Sequence, residues 1–317
     1  MQNPVEKYRA EYPARCAYGS EETSGCGTRG VYFDDRENGR MASLNRIPDS
    51  RDSCLNRIER GWRFYADRPW LAGLFYWTGF DYRGEPNPLE YPATGSEFGL
   101  LDYCGFPKDE AWYLKSWWTD EPVLHVFPHW NLEGHEGETI DLWVYSNMDE
   151  VELIVNGKNL GRKTMPRNGH LSWPAVYRPG SVEARGYRNG RRVMTRKVET
   201  TGQAVRAIPD YAYSKDDIQI INVSLVDSKG RTVPTACNPV TITYGNHGAT
   251  PGQDCGIRLL GAGNGDPAFR GIERPAPGSN PASFTIPAFN GHAQFIIHNP
   301  HSCPVSITLG DESSTDN

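Results

Sequence analysis

The chain lacks any run of about 18 apolar residues, so no segment of it reads as a membrane span. Its seven cysteines, Cys16, Cys26, Cys54, Cys104, Cys237, Cys255 and Cys303, contain no C-x-x-C pair, which argues against a zinc site. Their number is odd, so no disulfide framework is implied and most read as reduced thiols. His125, His129 and His135 have no helical metal-ligand spacing and read as satisfied loop or strand residues. No metal or cofactor is implied. Positive charge is in deficit: 33 Lys and Arg stand against 39 Asp and Glu, a net charge of −6. Without a dominant basic patch, nucleic acid is excluded as a partner. The densest positive run, residues 188–196, sits in a predicted hairpin and reads as a solvated strand face. The opening residues MQNPVEKYR are polar and make no signal peptide, which leaves the compartment open. The glycine-rich stretch 261–266 has no following Lys and no strand-to-helix context. It therefore excludes nucleotide binding and reads as a turn between strands.

What is present is a chain of 317 residues with 38% hydrophobic and 23% charged residues, enough for two or three domains. Aromatic residues are plentiful, with 9 Trp and 16 Tyr. Residues 1–119 alternate helix and strand signals. A helix end closes at Pro13, and a strand then runs to Glu21. A long loop covers 22–50, and a helix over 55–66 is signalled by Leu55, Ile58, Trp62 and Tyr65 at helical spacing. A second apolar strand, 70–82, is followed by a helix within 100–118. Trp112, Leu114, Trp117 and Trp118 are expected to pack that last helix onto the two-stranded sheet. This order predicts an α/β unit whose strands deliver polar groups at their C-terminal ends, as in a parallel β/α barrel. Two strands are too few for a barrel of about 250 residues, so the unit is expected to be truncated or completed by another chain.

From Glu121 the period changes to two. Residues 139–145 and 150–155 alternate, and Asn156-Gly157 and Asn189-Gly190 mark tight hairpins. Residues 120–202 therefore form one antiparallel β-sandwich. Residues 203–317 form a second, with strands at 218–226, 240–244, 282–286, 293–298 and 304–309. The stretch 248–279 is expected to be an ordered loop, and 310–317 a frayed tail.

Glu21, at the end of the first strand, is placed for catalytic carboxylate chemistry. Glu22 points to the opposite face and cannot be its partner. Asp81 or Glu85 could approach Glu21, or could serve loop hydrogen bonds. Trp77 and Phe80 read either as a platform for a sugar ring or as core. Arg29 reads as a donor fork for a hydroxyl or a carboxylate, or as a plain surface arginine.

Several segments carry a resemblance. Tyr18-Gly19-Ser20-Glu21, followed by Thr28-Arg29-Gly30-Val31-Tyr32, resembles the nucleophile segment of glycoside hydrolase family 2, in particular its β-galactosidase-like members. Residues 77–86 resemble the eighth barrel strand, and 98–102 and 105–109 continue that match. Residues 128–131 and 155–161 resemble the next sandwich, and 233–236 and 263–267 the last immunoglobulin-like domain. The matches run in order along nearly the whole chain. The resemblance implies a fold of several domains, α/β then all-β: the last two strands and helices of a (β/α)8 barrel over 1–119, then immunoglobulin-like sandwiches over 120–202 and 203–317. It implies that Glu21 is the nucleophile of a retaining β-glycosidase acting on β-galactosides. Trp77 would line the sugar pocket, with Asp81 one layer behind it; Arg29 joins them as a substrate-binding candidate on its donor fork alone. The family's acid/base glutamate follows an asparagine, and no Asn-Glu dipeptide occurs here. Residues 22–27 also depart from the family's spelling. The acid/base and the first six barrel strands are therefore expected to lie outside this chain, in a complementing N-terminal segment, and a homo-oligomer is the other partner to consider. A non-catalytic glycan-binding protein built on two sandwiches is the rival reading.

Overall fold

The computed structural model describes residues 4–23, 25, 27–43, 58–84, 86–87, 89–91, 93–244 and 255–310. Cys26, Cys54, Glu85 and the 311–317 tail lie outside the described residues. The first third contains α1 (Pro4–Glu11), β1 (Ala17–Glu22), α2 (Ile58–Ala66), β2 (Leu71–Tyr76), the two-residue strands β3 (Tyr82–Arg83) and β4 (Gly95–Ser96), and α3 (Asp109–Trp118). β1 and β2 pair in parallel, with Ala17 opposite Leu71 and Glu22 opposite Tyr76. α2 presses against β1 so closely that a Cβ on Gly19 would stand 2.1 Å from the Tyr65 hydroxyl. Only glycine fits there.

The first sandwich comprises β5 (Leu124–Phe127), β6 (Thr139–Ser146), β7 (Glu150–Val155), β8 (Lys158–Thr164), β9 (Leu171–Val176), β10 (Ser181–Arg188) and β11 (Arg191–Glu199). Its sheets run β11-β10-β7-β8 and β5-β6-β9. The two expected hairpin turns are present. Asn156 and Gly157 have φ of 48° and 79°, and Asn189 and Gly190 have 50° and 71°, the left-handed pair a two-residue hairpin requires. Inward-facing Leu142, Val144, Val151, Leu153, Trp173, Val182 and Ala184 form the core between the sheets.

β6 alternates over 139–141 and departs from alternation from Leu142 onward, where both of its faces are covered. Leu142 and Val144 face the sandwich core. Trp143 and Tyr145 face outward against Tyr113 and Leu114 of α3, Ile58 of α2, and Phe127. The aromatic ridge of α3 therefore packs on the sandwich, where the sequence suggested the parallel sheet. Two parallel strands offer too little surface, whereas the outer face of β5 and β6 supplies large rings. Trp118 is left 50% exposed. A polar chain extends the junction. His170 stacks on Trp143 at 3.8 Å, and its Nδ1 lies 2.6 Å from Glu59 Oε2 of α2.

The second sandwich comprises β12 (Arg206–Lys215), β13 (Ile218–Val226), β14 (Pro239–Thr243), β15 (Arg258–Gly263), β16 (Ser283–Pro287), β17 (His292–His298) and β18 (Ser306–Leu309). Its sheets run β12-β13-β17-β15 and β16-β14-β18 around Ile221, Val223, Val240, Ile242, Phe295 and Ile297. One expectation is corrected. The stretch read as a loop holds strand β15, which pairs with β17. Cys255 and Cys303 form a disulfide, both buried, joining the approaches to β15 and β18. Of the other described cysteines, Cys16, Cys104 and Cys237 are free.

Replacing Trp143 with Ala removes the largest ring between α3 and β6. It is expected to cost about 3–5 kcal/mol, read as a lowered midpoint in urea unfolding, with the α-helical signal lost first.

Candidate active site

Parallel pairing brings the C-terminal ends of β1 and β2 to one edge. The Trp77 backbone N–H donates to the Glu22 carbonyl at 2.9 Å, so Trp77 sits directly beside the end of β1. Alternation along β1 then separates its two glutamates. Glu22 is half-buried and accepts a hydrogen bond from the Tyr65 hydroxyl. Burial, and secondarily the Glu22 carboxylate, raises the pKa of that phenol. Glu21 is exposed. Trp77 is 37% exposed and Phe80 55%. The Trp77 indole N–H donates to the Tyr82 hydroxyl at 3.2 Å, which fixes the ring edge-on to Tyr82. Glu21 is thus an exposed carboxylate on the strand whose end lies beside Trp77, an exposed indole.

Beneath this edge lies a buried layer of charge. Lys108 Nζ donates to Asp81 Oδ1 at 2.7 Å and to the Glu97 carbonyl at 3.0 Å. Asp81 also accepts from the Gly99 N–H at 2.9 Å. Glu97 accepts a hydrogen bond from the Thr28 hydroxyl, and Thr28 Oγ1 accepts from the Met41 N–H. Among the described residues Glu97 Oε1 has no hydrogen-bond partner. The ammonium therefore bonds one buried carboxylate, that of Asp81, and the backbone of Glu97, whose carboxyl group it reaches only through its charge. Burial pushes Asp81 up to about 6 and Glu97 up to about 7, against the pull of Lys108. Burial opposes the charge on Lys108 as well, but Asp81 and Glu97 more than offset it, and its pKa is raised. Asp81 is thereby committed to Lys108 and Gly99, and its place is beneath the edge.

Arg29 lies deeper still. Its Nε donates to Asp102 Oδ2 at 2.6 Å, with the two side chains 8% and 0% exposed. Its remaining donors reach the carbonyls of Asn264 at 3.1 Å, Phe289 at 2.8 Å and Asn290 at 3.2 Å. Of the uses read for Arg29, the structure gives it a carboxylate to hold, that of Asp102. A surface position is excluded, because the guanidinium is buried between the α/β part and the second sandwich. Arg40 repeats the connection through Asp266 at 2.7 Å. The stretch 261–266, read as a turn between strands, is in fact the end of β15 continued by this docking turn. Sequence reasoning assigned no role to Glu97, Asp102 or Lys108. Asp102 and Lys108 fall within the segments 98–102 and 105–109, among glycine and apolar residues, and Glu97 lies just before the first of them.

Comparison with known proteins agrees with this architecture. The domain of unknown function DUF4982 matches residues 137–194. A β-galactosidase of Bacteroides ovatus is 39% identical over 209 residues, covering 63% of this chain and 24% of that protein. A putative β-glucuronidase of Formosa agariphila is 34% identical over 209 residues, covering 62% of this chain and 20% of its own. Among solved structures, a β-glycosidase from Bacteroides vulgatus superposes on 97% of this chain and 42% of its own, with a TM-score of 0.77 and 25% identity. A glycosyl hydrolase family 2 member from Bacteroides cellulosilyticus covers 97% of this chain and 39% of its own, with a TM-score of 0.72 and 22% identity. The chain thus spans about a quarter or less of these two curated relatives' length.

The charge layer generates a pH dependence. Asp81 and Glu97 hold their protons more tightly folded than their ordinary values of 3.8 and 4.5. The stability they contribute is complete below about pH 4 and is lost as pH rises through 6 to 7. Glu97→Gln is expected to match the parent near pH 5 and to exceed it at pH 8 by on the order of 1 kcal/mol, measured by thermal melts at both pH values. Arg29→Ala strands the buried Asp102 carboxylate. It is expected to cost about 3–5 kcal/mol and to split one unfolding transition into two, read by calorimetry.

Proposed function

We propose that this chain, which belongs to glycoside hydrolase family 2 as a C-terminal portion, carries the nucleophile-bearing edge of a retaining β-glycosidase. In this reading residues 1–119 are the end of the catalytic barrel, and 120–202 and 203–317 are the sandwiches that come after it. Glu21 attacks the anomeric carbon of a terminal β-galactoside, the glycosidic bond breaks, and a glycosyl-enzyme forms. A second carboxyl group, about 5–5.5 Å away, protonates the departing oxygen and then activates water. That acid/base comes from a segment outside residues 1–317. Trp77 offers its indole face to the sugar, with Asp81 and Lys108 holding the chain behind it. The galactoside assignment is supported by the Bacteroides ovatus relative, whose name gives that activity.

The observation that carries this reading is the shared edge. Glu21 is exposed near the C-terminal end of β1, and Trp77, 37% exposed, follows the end of β2 with its backbone N–H on the Glu22 carbonyl, the strand end where barrel enzymes hold their chemistry. Tyr18 and Phe75 support it further. They lie on β1 and β2, are 62% and 67% exposed, and meet edge to face, as expected of rings that further strands would cover.

The chain alone is expected to give negligible turnover of an aryl β-galactoside, since general acid catalysis contributes about 10²–10⁴-fold. Robust turnover that disappears in Glu21→Gln would refute the missing acid/base. Fused to the N-terminal part of a family 2 β-galactosidase, the chain should turn over the substrate. Glu21→Gln should then lower kcat by roughly three orders of magnitude or more, and a 2-fluorogalactoside should label Glu21 in the parent. A label on any other residue would remove Glu21 from the nucleophile's role.

A further inference from the structure

A cleft of about 590 Å³ opens where the α/β part and the two sandwiches meet. Its walls come from the loop after β1, the β5–β6 connection, the β11–β12 linker and the Asn290 turn before β17. The volume lies within the roughly 300–1,000 Å³ range of small-molecule sites. Neither Glu21 nor Trp77 lines it.

The walls are chemically specific. Phe33 and His135 stack face to face at 3.8 Å with their planes 5° apart. His135 covers one face of the phenyl ring, and the ring remains 42% exposed, so the pair forms a flat platform at the lip. His135 is itself held by Glu138, with Nδ1 2.8 Å from Oε2. Further in, Tyr32 stands edge-on to His129 at 5.1 Å. Burial drives the His129 pKa down to about 4, so this ring is neutral at physiological pH.

Hydrogen-bonding groups are pre-set beside the rings. Asn131 Nδ2 donates to Thr201 Oγ1 at 2.8 Å, and the Thr201 N–H donates back to Asn131 Oδ1 at 3.0 Å. The Thr201 hydroxyl therefore accepts from Asn131 and keeps its own proton to donate. Among the described lining residues the carboxylates are Glu133 and Glu136, and none is Lys or Arg.

We infer that this cleft binds a neutral glycan chain at a site separate from the Glu21 edge. The C–H faces of a sugar ring carry slight positive charge and suit the exposed face of Phe33. Its hydroxyl groups suit the threonine and asparagine donors and acceptors. Glu133 and Glu136 repel uronate, sulfate and phosphate groups. The cleft depends on the docked arrangement, because Asn290 in its wall accepts from Arg29 through its carbonyl and donates to the Arg29 carbonyl through its amide.

The test is a titration of the whole chain with β-1,4-galactotetraose, monitored by isothermal calorimetry and saturation-transfer NMR, beside the same titration with tetragalacturonate. The tetraose should bind the parent, and the binding that depends on Phe33 and His135 should persist in Glu21→Gln and in Trp77→Ala. Binding should weaken at least about tenfold in Phe33→Ala and in His135→Ala, each checked for an unchanged melting temperature, and the acidic oligomer should bind at least about tenfold more weakly. No binding of the tetraose overturns the inference, as does binding that falls with Trp77→Ala and survives both platform variants. Tighter binding of tetragalacturonate overturns it as well. Because Glu21→Gln is inert toward this readout, the nucleophile assignment can fail while the cleft stands, and the reverse.

Discussion

The Arg29–Asp102 pair is the constraint on which the other contacts depend. Both side chains are almost fully removed from water, so each charge is tolerable only because the other is there. Asp102 does more than neutralise Arg29. Its second oxygen accepts from the Cys104 and Phe106 backbone N–H groups and so shapes the turn before α3. Arg29 spends its other donors on carbonyls of the second sandwich, and its guanidinium lies over the rings of Phe106 and Phe289. At Gly265, where φ is +81°, a Cβ would come within 1.9 Å of Asp102 Oδ2. The approach is that tight because the ion pair leaves no gap. The loop after β1, the turn before α3 and the last domain therefore move as one body.

That rigidity bears on the candidate site. Glu21 is an exposed residue on a two-stranded sheet, a weak scaffold by itself. What holds its strand is below and behind it: Tyr65 on Glu22, Thr28 on Glu97, and Lys108 between Asp81 and Glu97. The loop from Thr23 to Gly30 thus leaves the candidate nucleophile and runs directly into buried charge. Catalytic carboxylates need a fixed position more than they need many contacts of their own.

Local patterns are legible in the sequence and distant pairings are not. The two Asn-Gly hairpins and the alternating strands arise from chemistry within a few residues, and they are present at the expected positions. β15 escapes such reasoning because Gly261 and Gly263 give it the composition of a loop, while its place is set by pairing with β17 some thirty residues later. The Cys255–Cys303 bond spans 48 residues and leaves no local mark. The helix over 109–118 is legible as a helix, but its partner is not, since a ridge of aromatic residues does not say which sheet will cover it. Arg29 is legible as a donor fork. That its acceptors would be Asp102 and three carbonyls more than 230 residues away is not.

β6 is covered on both faces, by the sandwich core on one side and by α2 and α3 on the other. Beyond the exposed Thr139 and Asp141, this strand has no solvent-facing side through which to open. Its amides can exchange with water only when the helices and the sandwich come apart together, so β6 ties the α/β part and the first sandwich into a single cooperative folding unit.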